Sequence, residues 1–249
     1  MISKAQIKFI QSLHAKKNRL EQSLFIVEGV KIVNELLLSN RFKIHSLYYT
    51  KAFDDKSLKT AMNAYEVDEK TLAQISTLQT PNQVLAIVHF NEDAPFVWEE
   101  NKKYIALDNI QDPGNLGTII RTAEWFGIDT IICSKQCVEY TNPKVIMSSM
   151  GSFLRVKIYY LDLIEIFESK PNIALIGAFL EGENLYETTL NNAGVLVIGS
   201  ESHGISKDVS EYIQKKVKVP NFGAAESLNA SIAHAVILSE WKRQEHGRK

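Results

Sequence analysis

Three polar segments that carry glycine constrain the fold of this chain more than any other feature of its sequence. They span residues 109–121, 198–205 and 219–231. Each segment follows a short apolar run typical of a buried strand and leads into a run with the apolar spacing of a helix. In an open α/β sheet, the loops that follow parallel strands gather at one edge, where ligands bind. The three segments therefore predict one composite site at the carboxyl edge of a sheet.

Strand and helix patterns alternate through the second part of the chain, and this order predicts a parallel sheet covered by helices. We expect strands near residues 104–107, 130–133, 156–159, 173–178, 195–198 and 217–219, with helices near 113–126, 143–150, 163–167 and 227–241. A polar stretch around Pro95 precedes this region and indicates a connector.

The region before the connector has its own pattern and predicts a small α/β unit. We expect helices over residues 3–17, 30–37 and 69–75, the last capped by Asp68, and strands over 24–27, 43–49 and 84–88. A weaker helix and strand precede Val67. The sequence thus predicts domains at residues 1–93 and 103–249, joined by a linker at 94–102.

The composition argues against membrane, secreted and zinc-binding proteins. No window holds the roughly 18 apolar residues in a row that a membrane helix needs, and the first residues lack the apolar core of a secretory signal. Cys133 and Cys137 are the only cysteines, and no His or Cys cluster accompanies them, so we expect two unpaired packing thiols. These features predict a cytoplasmic protein.

The distribution of charge is more informative than the net charge of −1. Within the first 51 residues, nine basic side chains are opposed by only three glutamates. A local basic surface can bind phosphate in a neutral protein, because salt screens each charge over about 10 Å. A solvated helix face gives the same pattern. The candidate phosphate contacts are Lys16, Lys17, Arg19 and Lys31.

The first segment contains Pro113-Gly-Asn-Leu-Gly117, followed by Arg121. Its glycines permit a tight turn, and the start of the helix offers free N–H groups that bind phosphate. Arg121 falls about one turn into this helix, and an arginine binds phosphate through two N–H groups at once. A generic glycine turn with a surface arginine accounts for the same residues.

The second segment contains Gly199-Ser-Glu-Ser-His-Gly204. It lacks the G-x-S-x-G turn of hydrolases. It also lacks the G-x-G-x-x-G fingerprint of dinucleotide-binding proteins, so a nicotinamide dehydrogenase is a distant alternative. Gly199 at a strand end indicates close approach of another backbone. Glu201 either holds a hydroxyl or caps the helix near Ser206, and His203 is either a base or a solvated side chain.

The third segment ends in residue types that favour helix starts. We expect Ser227 to cap the final helix and Asn229 to lie in its first turn, where its side chain can reach back into the loop. Short, uncharged hydrogen-bonding side chains suit a nucleoside cofactor held mainly by backbone and apolar contacts. A well-capped helix explains the same residues, and the two interpretations are compatible.

Residues from all three segments together resemble the motifs of the SpoU (TrmH-like) branch of the SPOUT RNA methyltransferases, in order: Asn115 and Arg121; Gly199 and Glu201; Ser227, Leu228 and Asn229. The resemblance implies a parallel-sheet SPOUT catalytic domain with a C-terminal trefoil knot, preceded by a small α/β substrate-binding domain. It also implies a homodimer formed through the terminal helix, with RNA bound across both subunits.

The resemblance further implies methyl transfer from S-adenosylmethionine to a ribose 2′-hydroxyl, with rRNA as the first substrate class and tRNA as the second, and without a metal. Residues that would hold the cofactor are Ile198, Gly199, Val219, Leu228 and Gly151. RNA would contact the basic residues of the front domain, which are Lys16, Lys17, Arg19 and Lys31.

Arg121 matches the arginine that the family uses to activate the hydroxyl. Because arginine scarcely deprotonates in proteins, we expect Arg121 to bind the adjacent phosphate and stabilise developing alkoxide charge. The residues expected to orient the nucleotide and the loops are Asn115, Glu201, Ser227 and Asn229.

Ser202 departs from the family pattern, which commonly has glycine after the glutamate of the second motif. Serine tolerates fewer positive-φ conformations than glycine. This departure and the modest net charge motivate one alternative of a different class, a non-catalytic RNA-binding or ribosome-assembly factor that retains the fold.

Overall fold

The computed structural model describes residues 2–54, 63–91 and 94–247. In chain order the helices and strands are α1 (Lys4–Ser12), α2 (Lys16–Gln22), β1 (Leu24–Glu28), α3 (Val30–Leu38), β2 (Ile44–Tyr49), β3 (Ala64–Glu66), α4 (Glu69–Ile75), β4 (Val84–His89), β5 (Lys103–Asp108), α5 (Pro113–Trp125), β6 (Thr130–Cys133), α6 (Pro143–Ser149), β7 (Lys157–Tyr160), α7 (Leu163–Glu168), β8 (Leu175–Asn184), β9 (Gly194–Gly199), α8 (Lys207–Ser210), β10 (Lys215–Lys218) and α9 (Ala230–His246). The weaker helix predicted before β3 and the predicted domain end at residue 93 lie outside the described residues.

The chain divides into two compact units. The N-terminal unit comprises Met1–Ala94 with Thr141–Leu154, and the C-terminal unit comprises Pro95–Tyr140 with Arg155–Lys249. Helix α6 therefore belongs to the N-terminal unit, although it lies between strands of the C-terminal unit in the chain.

The N-terminal unit is built on a four-stranded mixed sheet with the strand order β1-β4-β2-β3. Strand β4 pairs antiparallel with both β1 and β2, and β3 pairs parallel with β2. Its core brings Ile26 and Ile87 of the sheet together with Ile10 of α1 and Leu72 of α4. This is the small α/β unit that the sequence predicts, and Asp68 caps α4 by accepting from the Thr71 N–H at 2.7 Å.

The single helix predicted over residues 3–17 is wrong, because α1 ends at Ser12 and α2 begins at Lys16. Side chains from α2 satisfy the carbonyl groups at the break. Asn18 donates to the Ser12 carbonyl at 2.8 Å. Arg19 donates to the carbonyls of Leu13 at 3.1 Å and His14 at 2.7 Å. These carbonyls no longer need a helical N–H partner, so the chain can turn here.

Arg19 is therefore a structural residue, and its assignment as an RNA contact is corrected. Only 1% of its surface is exposed, since its guanidinium is directed at the carbonyls of the break. Lys16, Lys17 and Lys31 are exposed, as the charge pattern predicts for a basic surface.

The C-terminal unit contains a six-stranded sheet with the order β10-β8-β9-β5-β6-β7, and every pairing between its strands is parallel. The parallel sheet predicted from the alternating pattern is confirmed. All six residues of β5 and all six of β9 are buried, which explains why both strands appear in the sequence as apolar runs without polar alternation.

The register of the central strands places their carboxyl ends side by side. Asp108 of β5 pairs with Gly199 of β9, and Leu107 pairs with Cys133 of β6. The loops that follow these strands therefore begin at one edge of the sheet. No helix among the described residues combines the length and apolar character needed to cross a bilayer.

Candidate functional site

Asp108, the last residue of β5, connects two of the strand-end loops through hydrogen bonds. One carboxylate oxygen accepts the Ser206 N–H at 2.7 Å. The other accepts the side-chain amide of Asn109 at 3.0 Å. Asp108 thus connects Asn109, which begins the first segment, to Ser206, which follows the second segment and precedes α8.

The loop after β9 folds back on itself. Ser200 and Gly204 exchange two main-chain hydrogen bonds of 3.0 and 2.9 Å. A Cβ atom at Gly199 would overlap the main chain of Gly204 and Ile205, so the close backbone approach predicted for Gly199 is confirmed, and only glycine fits there. Gly204 supplies the positive φ of this loop, at 65°, whereas Ser202 has no positive φ. The serine that departs from the family pattern is therefore compatible with the loop.

The loop after β5 becomes helix α5 through a strong start signal. Asp112 is the N-cap and accepts the Asn115 N–H at 2.8 Å, and Pro113 occupies the first turn. Aspartate is favoured at the N-cap and proline is favoured in the first turn of a helix. This start turns the Asn115 side chain inward, where only 8% of the residue remains exposed.

Asn115 joins all three segments. Its side-chain amide donates to a carboxylate oxygen of Glu201 in the second segment. Its side-chain oxygen accepts from the amide of Asn229 in the third segment at 2.9 Å. Loops that are far apart in the chain are thus connected through one buried amide, as the prediction of a composite site requires.

The cap of the final helix is Asn229 rather than the predicted Ser227. The Asn229 side-chain oxygen accepts the N–H of Ser231 at 2.9 Å and of Ile232 at 3.4 Å, and α9 begins at Ala230. Since the amide of the same side chain donates to Asn115, one residue both starts the helix and fixes the third loop. Ser227 is exposed in that loop.

Arg121 lies on α5, six residues after Asn115, which is about 9 Å along the helix axis. Its side chain is exposed, and that side chain makes no hydrogen bond or ion pair with any residue that the structure describes. It is therefore outside the Asn115 network, and its guanidinium is not committed to an internal partner.

The third loop has the chemistry needed to hold an adenine ring. Leu228 makes no hydrogen bond within the described part of the chain, and 48% of its surface is exposed. Phe222 in the same loop is 93% exposed. Free main-chain groups beside apolar side chains are how proteins commonly orient a small aromatic ligand. These residues fit the nucleoside part of S-adenosylmethionine.

The remaining predicted cofactor residues differ in their surroundings. Ile198 is buried in β9, so only its main chain can reach a ligand, while Val219 is half-buried just after β10. Gly151 lies in the N-terminal unit with a φ of 92°, and a Cβ there would come within 2.7 Å of the Glu35 carboxylate. Its assignment to the cofactor pocket stays a prediction.

Two aspartates at the site, Asp108 and Asp112, were not among the residues predicted from the sequence. Asp112 had a readable signal, because aspartate immediately before proline is a typical helix start. Asp108 had none, since its partner Ser206 is distant in the chain.

Both cysteines are free and buried, as predicted. The Cys137 thiol donates to the Leu107 carbonyl at 3.3 Å, beside the carboxyl edge of the sheet. A hydrogen bond with Cys133 lowers the pKa of the Cys137 thiol to about 7 despite its burial. The same hydrogen bond, together with burial, raises the pKa of the Cys133 thiol well above its usual value. Among the described residues, no group of His, Cys, Asp and Glu side chains is arranged to hold a metal ion.

Comparison with known proteins gives consistent results for both halves of the chain. A family model described as the SpoU rRNA Methylase family matches residues 102–239. A second model, described as an MRM3-like substrate binding domain, matches residues 4–86.

Two curated relatives match along nearly their whole length. The 23S rRNA (guanosine(2553)-2′-O)-methyltransferase RlmP of Bacillus subtilis is 28% identical over 94% of this chain and 94% of the relative. The 23S rRNA (guanosine-2′-O-)-methyltransferase RlmB of Neisseria meningitidis is 28% identical over 88% of this chain and 94% of the relative.

Solved structures agree with the sequence relatives. A protein of Porphyromonas gingivalis assigned to the TrmH family of RNA methyltransferases is 36% identical, with a TM-score of 0.86 over 98% of this chain and 99% of that chain. The AdoMet-bound rRNA methyltransferase of Sinorhizobium meliloti is 27% identical, with a TM-score of 0.87 over 98% of this chain and 96% of that chain. Because the family model spans more than half of the 249 residues and covers all three motif segments, this protein belongs to the SpoU rRNA methylase family.

Proposed function

We propose that this protein transfers the methyl group of S-adenosylmethionine to a ribose 2′-hydroxyl of rRNA. The observation that carries the proposal is the pair of hydrogen bonds from Asn115 to Glu201 and from Asn229 to Asn115. They hold the three motif segments together at the carboxyl edge of one parallel sheet, where α/β proteins bind their ligands. The names of the relatives support rRNA as the substrate.

The loops after β9 and β10 form the cofactor site. Main chain at Ile198, Gly199, Val219 and Leu228 holds the adenosyl group, and the trefoil knot expected for the family brings these loops together. S-adenosylmethionine supplies a methyl group on a positive sulfonium, which is already a good electrophile. The work left to the protein is therefore positioning, which can supply much of the rate enhancement.

Arg121 is the catalytic side chain. Its guanidinium stays charged at neutral pH, so it cannot take the proton from the ribose hydroxyl. Instead, the guanidinium binds the neighbouring RNA phosphate through two N–H groups and stabilises the negative charge that develops on the 2′-oxygen. An oxygen of that phosphate shares the departing proton. The exposed and uncommitted state of Arg121 supports this role.

The other motif side chains position the reacting groups. Asn115 and Asn229 keep the loops in register, and Glu201, which is exposed beside Asn115, orients the nucleotide. Ser227, exposed in the third loop, contributes a hydroxyl toward the same nucleotide.

The N-terminal domain, residues 1–93, binds the RNA, and residues 94–102 link it to the methyltransferase domain, residues 103–249. The match of residues 4–86 to a substrate binding domain supports this division. Lys16, Lys17 and Lys31 provide phosphate contacts, since all three are exposed. Replacing Lys16 and Lys17 by alanine should weaken RNA binding. It should also reduce the number of counterions released on binding by about two, which is measured as a shallower slope of log K against log salt concentration.

The protein acts as a homodimer in the cytoplasm. Trp125 at the end of α5 is 82% exposed and lines a cavity of about 620 Å³ together with Ser239 and Arg243 of α9. Ile232 on α9 is also exposed. Large exposed apolar side chains on neighbouring helices are typical of a surface that a second subunit covers, and α9 is the helix that the family resemblance places at the interface.

Methyl transfer with labelled cofactor tests the proposed function. Protein, labelled S-adenosylmethionine and total rRNA are incubated, and the RNA is digested with alkali. A 2′-O-methyl group blocks cleavage of its own linkage, so the label should appear in dinucleotides, and Arg121→Ala should slow its incorporation by about 10²- to 10³-fold. Label in single nucleotides alone, or RNA binding by a wild-type protein that shows no cofactor affinity in calorimetry, would contradict the proposal. Parallel reactions with tRNA test the second substrate class.

A further inference from the structure

A separate cavity of about 390 Å³ lies in the C-terminal unit, between the carboxyl ends of β5, β6 and β7 and the start of α8. It is near the small end of the range of roughly 300–1,000 Å³ that ligand pockets occupy, a size suited to one nucleoside. None of the residues proposed to hold the cofactor lines it. Asn109 and Ser206, which do line it, flank the first two motif segments.

The back wall of this cavity is fixed by internal hydrogen bonds. Asn109 has a φ of 59°, in the left-handed region. Its N–H donates to the Ser134 hydroxyl at 3.0 Å, and its amide donates to Asp108. Asp108 in turn accepts from Ser206. A wall whose polar groups are satisfied in this way gives the cavity a defined shape before any ligand arrives.

The rim of the cavity has the opposite character. Lys135, Gln136 and Asp208 are exposed, and none of their side chains makes a hydrogen bond or ion pair with any residue that the structure describes. A cation, an amide and a carboxylate therefore face one small space without internal partners.

Charge restricts what this space can hold. Its lining carries the carboxylates of Asp108, Asp162 and Asp208 but only one lysine, so a bare phosphate is disfavoured. These carboxylates are also not grouped as ligands for a metal ion, within the described part of the chain. A neutral ligand with its own donors and acceptors fits better.

We infer that this cavity binds an unpaired guanine of the substrate RNA, an assignment that rests on the proposed function. Guanine presents two adjacent N–H donors, N1–H and the N2 amino group, next to the acceptor O6. A carboxylate accepts from both donors at once, and a lysine donates to O6. Asp208 and Lys135 supply this pair. Adenine and cytosine place a ring acceptor beside their amino group, which a carboxylate repels, and uracil has a single donor.

The location agrees with this assignment. Single-stranded RNA is recognised mainly by bases that leave the stack and enter pockets through their Watson–Crick edges. Because Asn109 begins the segment that leads into α5, a base held here lies beside the loop that precedes the helix carrying the catalytic arginine. The cavity thus provides base selection, which the ribose chemistry itself lacks.

Binding of free nucleotides tests the inference without RNA or cofactor, so its outcome is independent of methyl transfer. Guanosine 5′-monophosphate and inosine 5′-monophosphate are titrated into the full-length protein by calorimetry. Inosine lacks only the N2 amino group, so the shared phosphate cancels in the comparison. Guanosine monophosphate should bind at least about tenfold more tightly, the lower end for the loss of a single hydrogen bond to a charged acceptor.

Three variants separate the roles of the rim residues. Asp208→Asn should remove the preference for guanosine over inosine. Lys135→Met should weaken both nucleotides equally, because both keep O6. Glu211→Gln, an equal change of charge at an exposed residue just after α8 that does not line the cavity, should leave both affinities unchanged.

Three results would overturn the inference. One is equal binding of guanosine and inosine monophosphates to the wild-type protein. Another is a preference that survives in Asp208→Asn. The third is displacement of guanosine monophosphate by S-adenosylmethionine, which would make the cavity part of the cofactor site.

Discussion

Replacing Asn115 by aspartate reverses one interaction at the junction of the three loops while keeping the shape of the side chain. In the native protein the Asn115 amide donates to the Glu201 carboxylate. In Asn115→Asp, two carboxylate oxygens face each other at that contact. The hydrogen bond from Asn229 can persist, because aspartate still accepts it at the other oxygen. The first and second loops should therefore separate.

The size of the effect follows from where the pair lies. Two unit charges about 4 Å apart repel by about 1 kcal/mol in water and by about 4 kcal/mol at the effective dielectric constant near a protein surface. Residue 115 is buried but Glu201 is exposed, so screening places the repulsion at about 2 to 3 kcal/mol. If the joined loops are the binding-competent state, cofactor affinity falls by roughly 30- to 150-fold.

A second substitution should restore the contact with its polarity reversed. In the double variant Asn115→Asp with Glu201→Gln, the glutamine amide donates to the new aspartate. Calorimetric titration of S-adenosylmethionine into wild-type, single and double variants measures the coupling. Asn172→Asp, a matched change at an exposed turn residue, is the control and should bind as wild type does. Wild-type affinity in Asn115→Asp, or a double variant no better than the product of the two singles, would refute the reasoning.

Three further predictions concern single residues. Arg121→Ala should reduce the single-turnover rate of methyl transfer by about 10²- to 10³-fold with unchanged cofactor affinity; a loss of affinity would show a binding role instead. Burial lowers the pKa of His234 to about 3, against 6.5 when exposed, so the unfolded chain binds more protons between these values. The free energy of unfolding should fall as pH drops from about 6.5 toward 3, and His234→Leu should flatten that slope in urea titrations; an unchanged slope contradicts this. Gly199→Ala should lower the melting temperature more than Gly204→Ala, because only the first Cβ meets backbone; equal losses in thermal unfolding would argue against the folded-back loop.

Convergence of the three segments could be predicted from the sequence because parallel strands end at a common edge. Alternating strand and helix patterns are local, and they imply the parallel sheet directly. The choice between Ser227 and Asn229 as helix cap could not be predicted in the same way, since both residue types cap helices well. In the structure Asn229 is the cap, and its side-chain amide also donates to Asn115, a residue more than a hundred positions away in the chain.

Burial of charged groups is the other property that local pattern misses. Arg19 stands among lysines in the sequence and has the same apparent role, yet its guanidinium closes the break between α1 and α2. Thr141–Leu154 likewise packs with the N-terminal unit, although its place in the chain is between strands of the C-terminal unit. The burial of Arg19 and the placement of Thr141–Leu154 both depend on which surfaces meet after folding. Neither produces a periodic pattern in the sequence.

Mapping ribose methylation across the rRNA of a strain that lacks this gene tests the central claim most directly. One 2′-O-methyl position should disappear, and it should return when the wild-type protein is supplied but not when Arg121→Ala is supplied. An unchanged methylation map, or full restoration by Arg121→Ala, would contradict the account.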